Sequence, residues 1–308
     1  MTFNRVTSLE RLLKSLQAAD YAGDKVELRI LIDYPSGSAT ETVRAAWQRT
    51  VQRAQSTTWA HGPLQVVQRD SNHGLARQWL AAWTPTSDTD AAVILEDDLE
   101  VSPLFYRWLK EARRRYLGMP ELAGLTLQKQ GLINRGGQGG SIPGQLGQPY
   151  LTPLPGSWGF APVAQHWRAF LEWYRDRTAQ PGYLPDTPGL VTWGWYQDFH
   201  RRGLGHTMWT QWFIKYADEH KLYTLYPNVP GQSTLVVHWR EAGEHFSEAD
   251  AAAYRRNPER PATSWQALAA WPAAALNKYS WGMVLEGTAA APAQLEPCAV
   301  PSFAPLSQ

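Results

Sequence analysis

The sequence of 308 residues has one cysteine, Cys298, and lacks any long uncharged apolar run. A single cysteine excludes an intrachain disulfide and a cysteine-rich zinc site. Without an apolar run of about 18 residues, no segment is expected to span a membrane. The N-terminal residues MTFNRVTSLERLL also lack the apolar core of a signal peptide. These absences together predict a cytoplasmic protein.

The chain also lacks a large excess of positive or negative charge. Lys and Arg total 29 against 28 for Asp and Glu, which leaves a formal net charge of +1. Binding along a nucleic-acid backbone needs a strongly basic surface, so we expect no nucleic-acid partner.

Tryptophan, in contrast, is abundant. The chain has 16, of which eight lie from Trp158 to Trp239. Trp47, Trp79 and Trp83 occur at helical spacing and predict a core in the first half. Large flat side chains pack in cores, but they also stack on sugars and nucleobases. Both interpretations apply to the later tryptophans.

The first half alternates helical and strand-like patterns, which predicts an α/β fold with a parallel sheet covered by helices. The expected elements, in order, are a helix over 9–16 with a capping box from Thr7 to Glu10, a strand over 26–33, a helix over 43–51, a strand over 64–68, a helix over 75–83, a strand over 91–95 and a helix from Pro103. Further along, the pattern predicts helices over 163–175 and 211–219 and strands within 222–228 and 233–239.

A glycine-rich segment separates the two halves. Seven of the 17 residues from Gly131 to Gly147 are glycine, and the segment has no apolar period. This composition predicts a long mobile loop, and such loops are commonly functional lids. An Ala- and Pro-rich tail begins near Gly287.

Two predicted strands end in acidic residues: Asp33, and the triplet Glu96, Asp97 and Asp98. The carboxyl ends of parallel strands meet at one edge of the sheet, where such sheets bind ligands. We therefore expect both acidic sites at that edge. Adjacent buried carboxylates need a positive partner, and a divalent cation with oxygen ligands is the usual one. The alternative for Asp98 is a cap on the following helix.

Several segments, in order, resemble the donor half of GT-A-fold glycosyltransferases: TFNR with the helix SLERLLKSL, then LRILID, NHGLARQW and VILEDDLEVSP. Family 2 enzymes are similar, and so is the N-acetylglucosaminyltransferase that initiates complex N-glycans, especially in the acidic stretch. YLTPLPGSWGFAPVAQHWRAF, TLYPN and HWREAGEHF resemble a group of family 2-like proteins. The resemblance covers about residues 2–246. It implies a Rossmann-like single domain with a mixed, mostly parallel sheet flanked by helices.

The resemblance also implies an organisation and an activity. It divides the chain into a donor-binding half over 1–127, a glycine-rich flexible loop over 128–157, an aromatic-rich acceptor and catalytic half over 158–246 and a helical, Ala- and Pro-rich tail over 247–308. The implied activity is transfer of a sugar from a UDP- or GDP-linked donor to a glycan or glycoconjugate acceptor, with Mn²⁺ or Mg²⁺ as cofactor.

Donor and metal roles follow from the same resemblance. Asp98 would ligate the cation that bridges the donor diphosphate, and His238 would be a second ligand, with His245 as the alternative. A lone His on an apolar strand is also a common structural group. The residues that the resemblance implies at the nucleotide are Asn4, Arg5, Asp33, His73, Arg77, Glu96 and Asp97.

The catalytic base departs from the family pattern. An inverting transferase needs a carboxylate to take the acceptor's proton, and relatives place it at the start of the helix before the TLYPN-like strand. This chain has Trp209, Thr210 and Gln211 there. Asp198 is the nearest acid upstream, and we expect it to be the base. The alternative is a retaining or inactive protein.

Acceptor binding is implied for aromatic positions, because aromatic faces stack on the apolar face of a sugar. The expected acceptor residues are Trp158, Gly159, Trp193 and Trp195.

Two other functions stay open. The missing acid near Thr210 is compatible with a catalytically silent sugar- or nucleotide-binding protein. A sugar-nucleotide nucleotidyltransferase would need a glycine-rich phosphate loop after the first strand, and NRVTSLE has none. In the family an apolar strand precedes the TFNR-like turn. Only Met1 does so here, so either the start is truncated or the sheet lacks that strand.

Overall fold

The structure is a computed structural model, which describes residues 1–129, 147–231, 233–241, 252, 258–268, 271, 275–279 and 294–299. The chain forms two compact units. The first unit comprises Met1–Trp83, Ile94–Arg107 and Gly231–Thr263, and the second comprises Thr84–Val93, Trp108–Pro230 and Ser264–Gln308. These units do not follow the predicted division at residue 127, since 108–127 belong to the second unit and 231–246 to the first.

The first unit contains three complete helices and six strands among the described residues. Its elements are α1 (Val6–Gln17), β1 (Leu28–Ile32), α2 (Glu41–Gln55), β2 (Leu64–Gln68), α3 (Gly74–Leu80), β3 (Leu99–Val101), β8 (Ser233–Thr234), β9 (Val236–His238) and β10 (Arg260–Pro261). Helix α4 (Phe105–Tyr116) begins in this unit and continues into the second.

The core of the first unit forms where α1 and α2 pack on β1. Leucines at helical spacing bury one face of α1, and Ile30 and Ile32 face them from β1. Strand β1 pairs in parallel with β2, and Thr2 adds a parallel bridge to Ile32. Helix α2 begins after Thr40, whose hydroxyl accepts the Val43 N–H. The parallel arrangement of β1 and β2 is as predicted.

Two local predictions for this unit are wrong. Helix α1 begins at Val6, so Thr7 lies inside its first turn, and no side chain caps it. The run 91–95 is not a strand; only Ile94 forms a bridge within it. The acidic triplet instead precedes a strand, β3, which pairs antiparallel with β9 so that Leu99 lies opposite His238. The acidic triplet therefore lies at the turn that leads into β3.

The second unit combines helices with a six-stranded mixed sheet. Its elements are β4 (Leu122–Thr126), β5 (Tyr150–Thr152), β6 (Phe160–Pro162), α5 (Ala164–Thr178), α6 (Val191–Arg201), α7 (Trp209–Glu219), β7 (Tyr223–Tyr226), β11 (Ala275–Tyr279) and β12 (Gln294–Ala299). The strand order is β12-β11-β5-β7-β4-β6.

An aromatic cluster forms the core of the second unit. Trp167, Phe170 and Phe213 are fully buried, and the Phe170 and Phe213 ring centroids are 4.9 Å apart in an edge-to-face contact. Such pairs stabilise a core beyond the area they bury. Several tryptophans of the later group, including Trp167, Trp209 and Trp212, are therefore core residues.

The α/β class predicted from the sequence is confirmed. The described strands do not form one mostly parallel sheet, however. Outside the mixed sheet, β1–β2 and β8–β10 are parallel pairs and β3–β9 is antiparallel. In the part of the chain that the structure describes, no helix has the length and apolar character needed to cross a membrane. Most of the predicted glycine-rich loop and tail, and His245, lie outside the described residues.

Candidate functional site

The acidic triplet is held by the N-terminal segment. The Thr2 hydroxyl donates a hydrogen bond to Asp97 Oδ2 at 2.7 Å. Arg5, the residue before α1, donates through Nη2 to Asp97 Oδ1 and through Nη1 to Asp98 Oδ2, the latter at 3.0 Å. One guanidinium thus bridges two carboxylates, a geometry that its planar fork favours.

One carboxylate oxygen of Asp98 is buried without a partner. Asp97 and Asp98 are 2% and 7% exposed. Oδ1 of Asp98 is buried and has no hydrogen-bond partner in the structure. A buried carboxylate oxygen without a partner is costly. This atom is therefore suited to a ligand that brings positive charge.

The three carboxyl groups of the triplet differ in how their pKa values are shifted. Burial alone would raise the pKa of Asp98, but the nearby His238 ring and the charge of Arg5 lower it to about 2. Burial raises the pKa of Asp97, although Arg5 opposes the effect. Burial and the nearby charge of Asp98 raise the pKa of Glu96 to about 7. Asp98 is thus the carboxylate that stays ionised, and Glu96 keeps a proton close to neutral pH.

Glu96 gives the first testable prediction. An unfolded chain releases this proton near pH 4.5, while the folded protein holds it up to about pH 7. Stability should therefore fall as the pH rises between these values, by about 3 kcal/mol at about 1.4 kcal/mol per pH unit. Glu96→Gln, which keeps an acceptor for the Trp79 indole N–H, should remove this decline.

Chemical denaturation from pH 4.5 to 8 in the presence of a chelator measures the effect. Glu27→Gln, which removes an exposed carboxylate in the same unit, is the control for loss of one negative charge. A Glu96→Gln curve parallel to the wild-type curve would contradict the prediction.

Asp33 joins β1 to the start of α3. Its carboxylate accepts the backbone N–H groups of Tyr34, His73 and Gly74 at 2.8–2.9 Å. Its own N–H donates to the Thr2 carbonyl, and Thr2 also contacts Asp97. The two acidic sites are therefore linked through Thr2, although the triplet does not follow a parallel strand as the sequence predicts. Asp33 orders the backbone here, whereas the sequence predicts a contact to the base or ribose.

The other predicted donor residues lie around this centre. Asn4 is half-buried beside Arg5, and Arg77 is exposed on α3. His73 precedes α3, and its Nδ1 is buried without a hydrogen-bond partner. The structure thus gathers the predicted donor residues in the first unit.

His238 reaches the same centre from β9. Its Nε2 is 3.5 Å from Asp98 Oδ2. Its Nδ1 accepts the backbone N–H of Arg240 at 3.2 Å. Among the described residues, no three His, Cys, Asp or Glu side chains converge as a preformed metal cluster. Asp98 and His238 are thus a pair, to which the described part of the chain adds no third ligand of these types.

The predicted catalytic and acceptor residues lie in the second unit. Asp198 is on α6, with its side chain 55% exposed and paired with Arg201 at 3.2 Å. On the same helix Trp195 is 46% exposed, while Trp193 stacks on Tyr196 with ring centroids 5.6 Å apart. Trp158 is half-buried. Trp195 is therefore the indole with the most accessible face among these candidates.

Gln211 occupies the position where relatives carry the base. It is fully buried in α7. Its amide nitrogen donates to the Pro185 carbonyl at 2.7 Å and to the Thr187 hydroxyl at 2.9 Å. An amide held this way has no proton-accepting role, and it fixes the loop before α6 to α7.

The backbone conformation and the close packing at position 159 both favour glycine. Its φ is +77°, and a Cβ there would lie 2.8 Å from Leu127 Cδ1. We expect Gly159→Ala to lower the free energy of unfolding by about 2 kcal/mol or more, through backbone strain and crowding. Gly182 has a φ of +76° and open space around it, so Gly182→Ala should cost only the strain, about 1 kcal/mol. Equal losses in chemical denaturation would contradict crowding at Leu127.

One family of known proteins matches part of the chain. A family model described as the SPBC1E8.03c C-terminal domain matches residues 6–116. The matched segment, about a third of the chain, runs from the start of α1 to the end of α4. It contains Asp33 and the acidic triplet, and it excludes Arg5 and His238. No curated protein matches the chain.

Two contacts of the site were missed by sequence reasoning. Nothing in the sequence position of Thr2 indicates its hydrogen bond to Asp97, 95 positions away. Trp79 was predicted as a core residue and is fully buried. Its indole N–H also contacts Glu96 at 3.1 Å. A buried indole N–H needs a hydrogen-bond acceptor, and this requirement could have indicated that Trp79 contacts a polar group.

Proposed function

We propose that this protein is a metal-dependent glycosyltransferase of GT-A fold that transfers a sugar from a nucleoside-diphosphate sugar to a carbohydrate-containing acceptor. The observation that supports it best is Asp98, a buried carboxylate with one unpartnered oxygen and one oxygen that accepts a hydrogen bond from Arg5. Asp33 lies beyond the carboxyl end of β1, where α/β sheets bind nucleotides. The order of motifs along the chain adds to this argument.

The residues at Asp98 fit a divalent cation. Oδ2 already accepts from Arg5 at 3.0 Å, whereas Oδ1 is buried without a partner, which leaves one hard oxygen ligand for Mn²⁺ or Mg²⁺. When bound, the cation would neutralise the charge that develops on the departing nucleoside diphosphate.

The neighbouring side chains would orient this ligand and the donor. Arg5 and Thr2 fix the Asp97 carboxylate, and Arg5 also holds Oδ2 of Asp98, so Oδ1 has a defined direction. Asp97 or Glu96 would contact the donor ribose. Asn4, Asp33, His73 and Arg77 would border the nucleotide.

In the second unit, this proposal assigns acceptor binding to aromatic side chains of α6, together with Trp158. Trp195 offers an exposed indole face, which suits stacking on the apolar side of a sugar ring. Asp198, one turn further along α6, would take the proton from the acceptor hydroxyl.

A catalytically silent binder is the second candidate, and Gln211 favours it. The residue in the base position is an amide whose nitrogen is committed to Pro185 and Thr187. A protein that binds the donor without such a carboxylate would hold the sugar nucleotide but not transfer the sugar.

Thermal-shift measurements with UDP, GDP, CMP and dTDP, each with and without Mn²⁺, test the proposal. We expect one nucleoside diphosphate to stabilise the protein only when Mn²⁺ is present. Stabilisation that does not depend on metal, or none with any nucleotide, would contradict it. Release of nucleoside diphosphate from the matching sugar donor then separates an enzyme from a silent binder. Asp198→Asn should abolish this release without changing the thermal shift.

A further inference from the structure

We propose that His238 is a hydrogen-bond donor that positions the Asp98 carboxylate, and that its Nε2 is not a metal ligand. The part that concerns the metal rests on the proposed function. This role differs from the one that the family resemblance implies. It follows from the contacts of both ring nitrogens.

The first step concerns Nδ1. It lies 3.2 Å from the backbone nitrogen of Arg240, which carries a hydrogen directed at it. A backbone N–H only donates, so Nδ1 must present its lone pair. A neutral imidazole has one protonated and one unprotonated nitrogen. The proton of His238 is therefore on Nε2.

The second step concerns Nε2. This atom is 3.5 Å from Oδ2 of Asp98, which is longer than an ordinary N–H···O hydrogen bond but close enough for a protonated Nε2 to be attracted to the carboxylate. A nitrogen that carries a proton has no lone pair to give to a cation. Arg5 and His238 thus both lie at Oδ2, and Oδ1 is the oxygen that remains for a metal.

The turn that presents the Arg240 N–H is built into the first unit. Arg240 has a φ of +46°, a left-handed conformation that is strained for a residue with a side chain. The residues on either side hold it in place. The backbone N–H of Trp239 donates to the Asp98 carbonyl at 3.0 Å, and its indole N–H donates to Glu100 at 2.9 Å.

Glu241 anchors the other side of the turn. Its carboxylate accepts hydrogen bonds from Ser8 and, at 2.5 Å, from Arg11. The guanidinium carbon of Arg11 also lies 4.5 Å from the centre of the Trp239 indole, within the range of a cation–π contact. The turn is therefore tied to α1 and β3, and the Arg240 N–H has a fixed direction toward His238.

Nitrogen-15 NMR of the ring nitrogens in metal-free protein tests the tautomer directly. We expect a protonated Nε2 and an unprotonated Nδ1 for His238, assigned by loss of the signals in His238→Gln. A proton on Nδ1 would overturn the proposal. This measurement does not require metal binding, so it decides the proposal even when the proposed function fails.

Pulsed electron paramagnetic resonance of bound Mn²⁺ tests the ligand set. We expect no hyperfine coupling from a directly bound imidazole nitrogen. A coupling that disappears in His238→Gln and persists in His73→Gln would overturn the proposal. His238→Gln, which retains an N–H donor, should keep the Mn²⁺ affinity within about threefold, and His238→Leu should weaken it about tenfold, as loss of a partner of a ligand does. Equal weakening in both variants would also contradict the positioning role.

Discussion

Replacement of Asp98 with Asn is expected to reduce Mn²⁺ affinity, and with it Mn²⁺-dependent donor turnover, by at least about 100-fold, since loss of even a ligand's hydrogen-bond partner costs 10–100-fold. The reason is the loss of charge on Oδ1, the buried oxygen that has no partner in the protein. Asn has nearly the same size as Asp, so packing around β3 should be kept. Titration calorimetry with Mn²⁺ measures the affinity, and release of nucleoside diphosphate measures turnover.

A matched control comes from the surface of the same unit. Asp20 also pairs with an arginine, Arg107, at 3.3 Å, but its side chain is 46% exposed. Asp20→Asn should leave Mn²⁺ affinity and turnover unchanged. Unaltered Mn²⁺ affinity in Asp98→Asn would show that the acidic triplet does not hold the cation, and the proposed function would then lose its main support.

The second large effect concerns Arg5. Arg5→Met should lower the free energy of unfolding by about 3 kcal/mol, because it leaves two buried carboxylates without their shared positive partner. Asp97 and Asp98 have side chains only 3% and 11% exposed, so water cannot replace the guanidinium. Arg5→Lys should lie in between, since an ammonium lacks the fork that reaches both carboxylates. Chemical denaturation at pH 7 measures these differences.

Arg29→Met is the matched control for Arg5→Met. Arg29 pairs with Glu27 at 2.9 Å, with both side chains more than 40% exposed, and loss of such a pair costs less than about 1 kcal/mol. Addition of Mn²⁺ should restore part of the stability of Arg5→Met, because a ligand that binds the folded state stabilises it. Equal losses for the two variants would contradict the bridging role of Arg5.

Sequence patterns were reliable where local physics decides the structure. The leucine spacing of α1 and the apolar runs of β1 and β2 predicted these elements because periodicity follows directly from which face is buried. The prediction of positively charged partners for the acidic triplet has a similar basis, because three adjacent carboxylates are costly without compensation, whatever the fold.

Sequence patterns failed where contacts between distant parts of the chain determine the local structure. The run before Glu96 reads as a strand, yet the pairing goes to Leu99–Val101 because β9 lies opposite those residues. Helix α6 was missed because its aromatic residues and Gly194 mask the helical period. The hydrogen-bond partners of the Asp33 carboxylate and of His238 Nδ1 are backbone N–H groups, and side-chain identity does not reveal them.

The long sequence separations between contacting residues of the first unit also determine when the site can form during synthesis. Arg5 must meet Asp98 across 93 positions, and Ser8 must meet Glu241 across 233. A ribosome adds about 5–20 residues each second, so the chain needs on the order of 10 s after Asp98 emerges before Glu241 follows. Throughout this interval the nascent chain holds the acidic triplet without the turn at Arg240. The site is therefore completed only after Glu241 has been synthesised.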